Sequence, residues 1–224
     1  MIKLKEISKE DAFRYMGGDY SSINEEELKI LKENEKLLLE NINVRYVYKV
    51  FDIDNETMMI GPNIKLEGQS IKNHLKDCNK VIFLAATLSS SVDEFIRKRQ
   101  VSGSFDMVCA DALASAAIED ALKLIDLELI NRFKDKHLTW RFGVGYGDFP
   151  LEFQSTFLDL ANARKLIGLN LSDGGLLTPT KSVTCIIGVS DRKLDNNRDI
   201  MDSYSHRCSI CNMKDVCAYS KYNK

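Results

Sequence analysis

The sequence predicts an α+β fold in which a mostly antiparallel, twisted sheet packs against one long helix with flanking helices. Three observations predict it. A helical pattern of apolar residues runs over 104–136. Two apolar runs of strand length, at 80–87 and 182–189, are typical of strands buried on both faces. The segment 44–53 alternates and is rich in Val and Tyr, as a half-buried strand would be.

The N-terminal part is predicted to hold two helices and a small antiparallel sheet. A short helix covers 8–16, and an amphipathic helix with one apolar stripe follows from Asn24. Two short segments, 58–60 and 64–66, flank the turn sequence Gly-Pro-Asn. We expect them to pair with each other and with the strand at 44–53.

Three shorter elements are predicted before the long helix. A helix near 70–76 leads into the apolar strand at 80–87, which we place centrally in the sheet. The serines at 89–91 stand directly before Val-Asp-Glu. A hydroxyl cap followed by an acidic first turn is typical of a helix N-terminus.

The long helix presents two different faces when its residues are placed about 100° apart. Its broad apolar face is predicted to enter the core and is formed by Ala110, Leu113, Ala114, Ala117, Ile118, Ala121, Leu124 and Ile125. A second face consists of small residues and one glutamate: Cys109, Ala112, Ser115, Ala116 and Glu119. A ligand or another segment can approach the backbone there, with Glu119 as its polar group. The alternative is a solvated glutamate on a surface helix.

The segment after the long helix is rich in glycine. Residues 141–188 hold seven of the twelve glycines and two of the three prolines. A helix over 151–166 and a turn over 169–175 are predicted within it. Glycine opens backbone conformations closed to other residues and lets a ligand approach the main chain. We interpret this stretch, which begins Arg141-Phe-Gly143-Val-Gly145-Tyr146, as a binding loop.

The side chains of this loop suit an amino-acid-like or adenosyl ligand. Arg141 supplies a two-pronged donor for a carboxylate or phosphate, and Tyr146 supplies a ring and a hydroxyl. No Gly-Lys-Ser/Thr follows at P-loop spacing, and no strand–turn–helix context supports a dinucleotide-binding fingerprint. The alternatives are an ion pair at a strand end for Arg141 and a packed ring for Tyr146.

Composition and charge argue against several classes of function. A formal net charge of -2 and a pI near 6.0 argue against nucleic-acid binding. No apolar run reaches the roughly 20 residues of a membrane span, and no signal-peptide core follows the first residues, so we expect a cytoplasmic protein. The three histidines are scattered outside any Ser/His/Asp or Cys/His setting, which argues against nucleophilic hydrolysis.

The chain is expected to form one domain with a short tail. No repeat, low-complexity segment or Pro/Ser-rich linker interrupts it. We expect the domain to cover 1–200, with a helical and small-sheet part at 1–78 and a ligand-binding core at 79–200. Residues 201–224 form a cysteine-rich tail.

Three of the six cysteines, Cys208, Cys211 and Cys217, lie in this tail with C-x2-C-x5-C spacing. A C-x2-C pair such as Cys208 and Cys211 readily supplies two ligands to zinc or an iron–sulfur cluster. Cys217 is close enough along the chain to supply a third ligand. A fourth ligand would have to come from elsewhere, and the candidates are His206, Cys185, Cys109 and Cys78. The alternative is a redox-active or free-thiol tail, since three cysteines do not complete a tetrahedral site.

Metal binding by the tail predicts that anaerobically purified protein contains zinc or iron. Elemental analysis and visible absorbance measure this directly. A preparation with neither visible absorbance nor bound zinc or iron contradicts the prediction.

Four motifs agree in order and spacing with one known family. They are Arg141-x-x-x-Gly145-Tyr146 followed by Pro150, Ile167-Gly168-x-x-Leu171, Pro179 ahead of Ser182-Val183, and Ala112-Leu113-Ala114 ahead of Glu119. Together they resemble the reactivation domain of cobalamin-dependent methionine synthase, particularly its stand-alone bacterial forms. The resemblance covers 80–190 well and the N-terminal third more loosely.

The resemblance implies a reactivation-domain fold that binds S-adenosylmethionine and docks over cobalamin. In that family, one electron and a methyl group from S-adenosylmethionine restore methylcobalamin from inactive cob(II)alamin. Carried over by position, Arg141, Tyr146 and the backbone of Gly143 and Gly145 hold the methionyl part, and Glu119 meets amino or hydroxyl groups. No catalytic residue is implied, because the nucleophile is reduced cobalt and the sulfonium methyl needs positioning.

The partner implied is a separate cobalamin-dependent methionine synthase, with a flavodoxin- or ferredoxin-type electron donor. The chain would then be the activation subunit of a methyltransferase and inactive alone. One alternative is an activator of another corrinoid methyltransferase. A second is a non-catalytic ligand-binding or regulatory module of the same fold, which Ile187 favours, since the large enzymes carry a tyrosine there near the ligand.

Overall fold

The computed structural model describes residues 2–18, 20–194 and 199–200. The helices in these ranges are α1 Lys9–Tyr15, α2 Glu25–Asn41, α3 Gln69–His74, α4 Ser90–Ser102, α5 Ser104–Arg132, α6 Phe153–Ala161 and α7 Ala163–Ile167. The strands are β1 Arg45–Asp52, β2 Met59–Ile60, β3 Ile64–Lys65, β4 Lys80–Thr87, β5 His137–Leu138, β6 Phe142–Gly143, β7 Asn170–Leu171, β8 Leu177–Thr178 and β9 Ser182–Ser190. A 3-10 turn covers Tyr20–Ser22.

The main sheet has the strand order β1-β4-β9-β5, and β6 also pairs with β9. Both β5 and β6 run antiparallel to β9, with Leu138 opposite Val189 and Phe142 opposite Ile186. Strands β4 and β9 are interior and almost entirely buried, which explains why their sequences are apolar without alternation. The predicted α+β class, with an antiparallel sheet and several helices, is confirmed.

The small hairpin differs from the expected arrangement. Strands β2 and β3 pair antiparallel with each other, with Ile60 opposite Ile64. The expectation that they also pair with β1 is wrong, because β1 pairs with β4. The hairpin is linked to the segment after β1 by an isolated antiparallel bridge between Met59 and Asp54. An eight-residue strand satisfies more backbone groups beside the eight-residue β4 than beside two-residue strands.

The helix expected over 151–166 is divided into α6 and α7. Asn162 ends α6 in the left-handed conformation, with φ of 54°. Asparagine tolerates this conformation better than most side chains. The turn expected over 169–175 is part of the antiparallel hairpin β7–β8, in which Leu171 lies opposite Leu177.

The described residues group into two compact units. The first is drawn from the described residues of 1–45, 86–125 and 167–183, and the second from those of 46–85, 126–166 and 184–200. The division falls within β1, β4, β9, α5 and α7, so each unit contains part of these elements. The single domain expected over 1–200 stays a prediction.

In the first unit, local sequence signals fix the helices. The Asn24 side chain accepts the N–H of Glu27 and the Glu27 carboxylate accepts the N–H of Asn24, which forms a capping box at the start of α2. The predicted core face of α5 is buried except at Leu124, which is 39% exposed. Helix α5 ends at Arg132, four residues before the predicted end. No described helix is both long and apolar enough to cross a membrane.

In the second unit, the core is a cluster of aromatic rings around Phe83 of β4. The Phe83 ring stacks on Phe157 of α6 with centroids 4.8 Å apart and planes 9° from parallel. It meets Phe51 and Phe153 edge-on at 5.3 and 6.2 Å. This cluster packs β4 against α6, the helix that follows the glycine-rich loop.

Candidate functional site

The glycine-rich loop of the second unit follows β5 and β6, two short strands that both pair with β9. Between β5 and β6, Thr139 donates its N–H to the carbonyl of Gly188 at 2.9 Å. Its Oγ1 accepts the N–H of Gly188 at 2.7 Å. The ladder resumes at Phe142 and Gly143. Arg141 therefore projects from backbone that the sheet holds on both sides.

Arg141 is buried against the C-terminal part of α5. Its Nε lies 3.2 Å from Oδ2 of Asp126, and the two side chains are only 3% and 4% exposed. The ion pair that the sequence left as an alternative for Arg141 is therefore present. A charge desolvated to this degree depends strongly on its counter-ion. A role for Arg141 in ligand binding stays a prediction.

Tyr146 lies across the backbone of Gly143. A Cβ at Gly143 would come within 2.8 Å of Tyr146 Cε1, so a side chain there would displace the ring. The ring also meets Phe142 edge-on, with centroids 5.9 Å apart. Tyr146 nevertheless remains 55% exposed. A ring that is held in place and open on one side is suited to stack on a ligand.

Two successive turns shape the loop. Tyr146 donates its N–H to the carbonyl of Gly143 at 3.2 Å, and Phe149 donates to the carbonyl of Tyr146 at 3.0 Å. Gly145 and Gly147 have φ of 87° and 58°, in the left-handed region that favours glycine. Gly145, Tyr146 and Gly147 are exposed in this conformation, and Val144 is half-buried.

Asp148 joins the loop to the first turn of α3. Its Oδ2 accepts the N–H of Gln69 at 2.6 Å, and its Oδ1 accepts the N–H of Ser70 at 2.8 Å. The backbone N–H groups of Ser70 and Gln69 lower the pKa of Asp148 to about 2. The carboxylate stays charged near neutrality, and the contact is lost only as the pH falls toward that value. Sequence reasoning missed this residue because the two partners lie 79 positions apart.

The small-residue face of α5, in the first unit, receives Lys181. Nζ of Lys181 lies 2.7 Å from Oδ1 of Asp111 and donates to Oγ of Ser115 at 2.9 Å, and the lysine side chain is 13% exposed. Cys109, Ala112 and Ala116 on the same face are buried. Glu119 on this face is half-buried. The segment that leads into β9 therefore contacts the face where the sequence predicted a close approach.

Comparison with known proteins identifies the fold. No family model matches the sequence, and no curated protein matches it. Among solved structures, the chain is similar to one described as the crystal structure of the MetH reactivation domain bound to AdoHcy, with a TM-score of 0.59 and 16% identity. The match covers 92% of this chain and 82% of that chain. The chain has the fold of the MetH reactivation domain. This confirms the fold that the motif resemblance implied.

Within this reactivation-domain fold, a buried histidine supports the start of the loop. Nε2 of His74 lies 2.8 Å from Oγ1 of Thr139. Its ring meets Trp140 edge-on at 4.4 Å and lies 5.0 Å from Phe142. No local pattern predicts this contact, because His74 stands in a short helix and no neighbouring residue marks it as buried.

The predicted metal ligands Cys208, Cys211 and Cys217 lie outside the described residues. Within the described part of the chain, no group of three or more His, Cys, Asp or Glu side chains is arranged to hold a metal ion. The other three cysteines, at 78, 109 and 185, are buried thiols. Burial, and then the carboxylate of Asp106, raise the pKa of Cys109 to about 12, so this thiol stays protonated near neutrality.

Proposed function

We propose that the chain is a cytoplasmic reactivation subunit that binds S-adenosylmethionine and serves a separate cobalamin-dependent methionine synthase. The observation that carries the proposal is the fold shared with the MetH reactivation domain bound to AdoHcy over 92% of this chain. AdoHcy is S-adenosylmethionine without its transferable methyl group. A fold that binds the product of methyl transfer is suited to bind the donor.

The loop of the second unit is the proposed ligand-binding element. Gly145, Tyr146 and Gly147 are exposed, and the half-exposed Tyr146 ring can stack on the ligand. Glycine at 143 and 145 lets a ligand approach the main chain closely. Arg141 is proposed to meet the ligand's carboxylate, with its guanidinium oriented by the pairing of Nε with Asp126. Glu119, in the first unit, is proposed separately as a ligand contact.

In the proposed reaction, the protein positions S-adenosylmethionine against the partner's cobalt, and no proton is transferred. An electron from a flavodoxin- or ferredoxin-type donor first reduces the partner's cobalt. The electron pair of reduced cobalt then forms a bond to the methyl carbon while the carbon–sulfur bond breaks, and AdoHcy leaves as a neutral thioether. Because no proton moves, no general acid or base is required, and orientation is the main contribution the loop can make.

The test is calorimetric titration of the protein with S-adenosylmethionine and with AdoHcy. Wild type should bind both. Tyr146→Ala should weaken binding by roughly tenfold, because the exposed ring loses its stacking contact while the fold is kept. Glu119→Gln, which keeps the side-chain size, should weaken binding separately through loss of its charge.

The matched control is Leu176→Ala, which removes a 69% exposed apolar side chain that has no proposed ligand contact. Its affinity should equal that of wild type. Failure of wild type to bind either ligand, with or without a corrinoid protein present, removes the proposal.

A specific observation favours a second candidate, the non-catalytic regulatory module. The Arg141 guanidinium is almost fully buried in an ion pair, and Ile187 is fully buried in β9. A reactivation assay that follows cob(II)alamin loss on supplied methionine synthase separates the candidates. Ligand binding without reactivation favours the module, and reactivation confined to a different corrinoid methyltransferase identifies that enzyme as the partner. The tail cysteines are proposed as metal ligands on spacing alone, and the metal analysis above tests them.

A further inference from the structure

The carboxylate of Asp148 ties the glycine-rich loop to α3, and it stands outside the motifs that suggested the function. We infer that Asp148 is a positioning residue that sets the conformation of residues 144–147 and thereby the affinity of the loop for its ligand. This inference rests on the proposed function for the affinity, whereas the effect on the loop conformation can be measured without any ligand.

The contact is a helix cap supplied from a distance. Helix α3 begins after Gly68, which has no side chain to cap it. Both oxygens of Asp148 accept first-turn N–H groups instead, one from Gln69 and one from Ser70. Hydrogen bonds from backbone amides to an ionised carboxylate are stronger than hydrogen bonds between two neutral groups. These two bonds therefore fix the position of the Asp148 side chain.

Gly68 is shaped to admit this side chain. A Cβ at Gly68 would lie 2.9 Å from the carbonyl oxygen of Asp148 and 3.0 Å from its Oδ1. Gly68 also has a φ of 118°, which other residues rarely adopt. The two residues are thus complementary, and a change at either one should displace the same part of the loop.

The loop is held at its two ends and open between them. At its start, Gly143 pairs with Cys185 in the sheet. At its end, Asp148 binds α3 and the buried ring of Phe149 packs 5.2 Å from that of Phe153. Residues 144–147 span only four positions between these supports. The geometry of the end therefore determines how the backbone groups and the Tyr146 ring are presented.

The first experiment measures amide hydrogen exchange in the ligand-free protein. Asp148→Ala should speed exchange at the amides of Tyr146 and Phe149 by roughly tenfold, because local opening becomes easier once the anchor is removed. Glu152→Ala is the control. That exposed carboxylate makes no side-chain hydrogen bond or ion pair with the described residues, so exchange should match wild type.

The second experiment measures affinity for S-adenosylmethionine together with thermal unfolding. Asp148→Ala should weaken binding about tenfold through lost preorganisation, and Asp148→Asn, which keeps one acceptor oxygen, should fall between Ala and wild type. Gly68→Ala should also weaken binding. Its effect combined with Asp148→Ala should be less than additive, because both variants disturb one contact.

The outcomes separate this inference from the proposed function. Unchanged exchange at Tyr146 and Phe149 in Asp148→Ala overturns the inference. A lowered melting temperature with wild-type affinity, measured where the variant is folded, shows that Asp148 only caps α3 and also overturns it. If wild type does not bind S-adenosylmethionine, the proposed function and the affinity effect fail together, while the exchange result still decides whether Asp148 sets the loop conformation.

Discussion

Replacing Arg141 by alanine is expected to lower the free energy of unfolding by about 3–5 kcal/mol. The guanidinium and the Asp126 carboxylate are both almost fully buried, with Nε and Oδ2 3.2 Å apart. Truncation removes the cation and leaves a carboxylate that is still desolvated. Burying the Asp126 carboxylate without the Arg141 cation lowers the free energy of unfolding by much more than the loss of one hydrogen bond would. Urea denaturation of wild type and variant measures the difference.

A double variant separates the ion pair from simple packing. Arg141→Met combined with Asp126→Leu replaces both charges with apolar side chains. It should be markedly more stable than Arg141→Ala, because neither charge of this pair is left buried without the other. A loss below about 1 kcal/mol in Arg141→Ala would place the pair among weak surface contacts and contradict the expectation.

Arg141 variants are expected to change stability and ligand affinity together. Loss of S-adenosylmethionine binding in Arg141→Ala reports on folding as well as on a ligand contact. Tyr146 is 55% exposed, whereas Arg141 is buried in an ion pair, so truncation of Tyr146 is the cleaner probe of the loop. The binding test therefore depends on Tyr146→Ala and on Glu119→Gln.

The elements that the sequence predicted well are those with strong local signals. Strands β4 and β9 are buried along most of their length, so their residues are apolar on both faces and cannot be mistaken for exposed strands. Helix α2 begins at the polar cap Asn24, whose capping box uses a residue three positions away. The loop could be recognised from its glycines, because they are required by nearby residues. At Gly143, for example, the ring of Tyr146 leaves no room for a side chain.

The features that could not be predicted depend on partners far apart in the chain. Whether β1 pairs with the hairpin or with β4 is decided by the length of strand each offers, which becomes apparent only when the sheet is assembled. The cap from Asp148 to α3 joins residues that share no local pattern. The burial of Arg141 depends on where α5 passes, and a lone arginine after a strand is equally compatible with a ligand contact.

Phe83→Ala is expected to be as damaging as loss of the buried arginine, at about 3–5 kcal/mol of unfolding free energy. Phe83 is fully buried in β4, stacked on Phe157 and edge-on to Phe51 and Phe153. Removing the ring takes away apolar burial and leaves a cavity that the surrounding strand and helix can fill only partly. Denaturant unfolding measures the loss, and Phe83→Leu, which keeps most of the volume, should cost clearly less.

Phe83→Ala should also change amide exchange in the loop, because aromatic rings connect Phe83 to Phe149. Phe153 contacts Phe83 on one side and lies 5.2 Å from Phe149 on the other, and Phe149 closes the loop by donating its N–H to Tyr146. Loosening Phe153 should therefore speed amide exchange at Phe149 in Phe83→Ala more than in Phe83→Leu. Equal exchange in both variants, despite different stabilities, would show that the loop is held by β6 and Asp148 without help from the aromatic core.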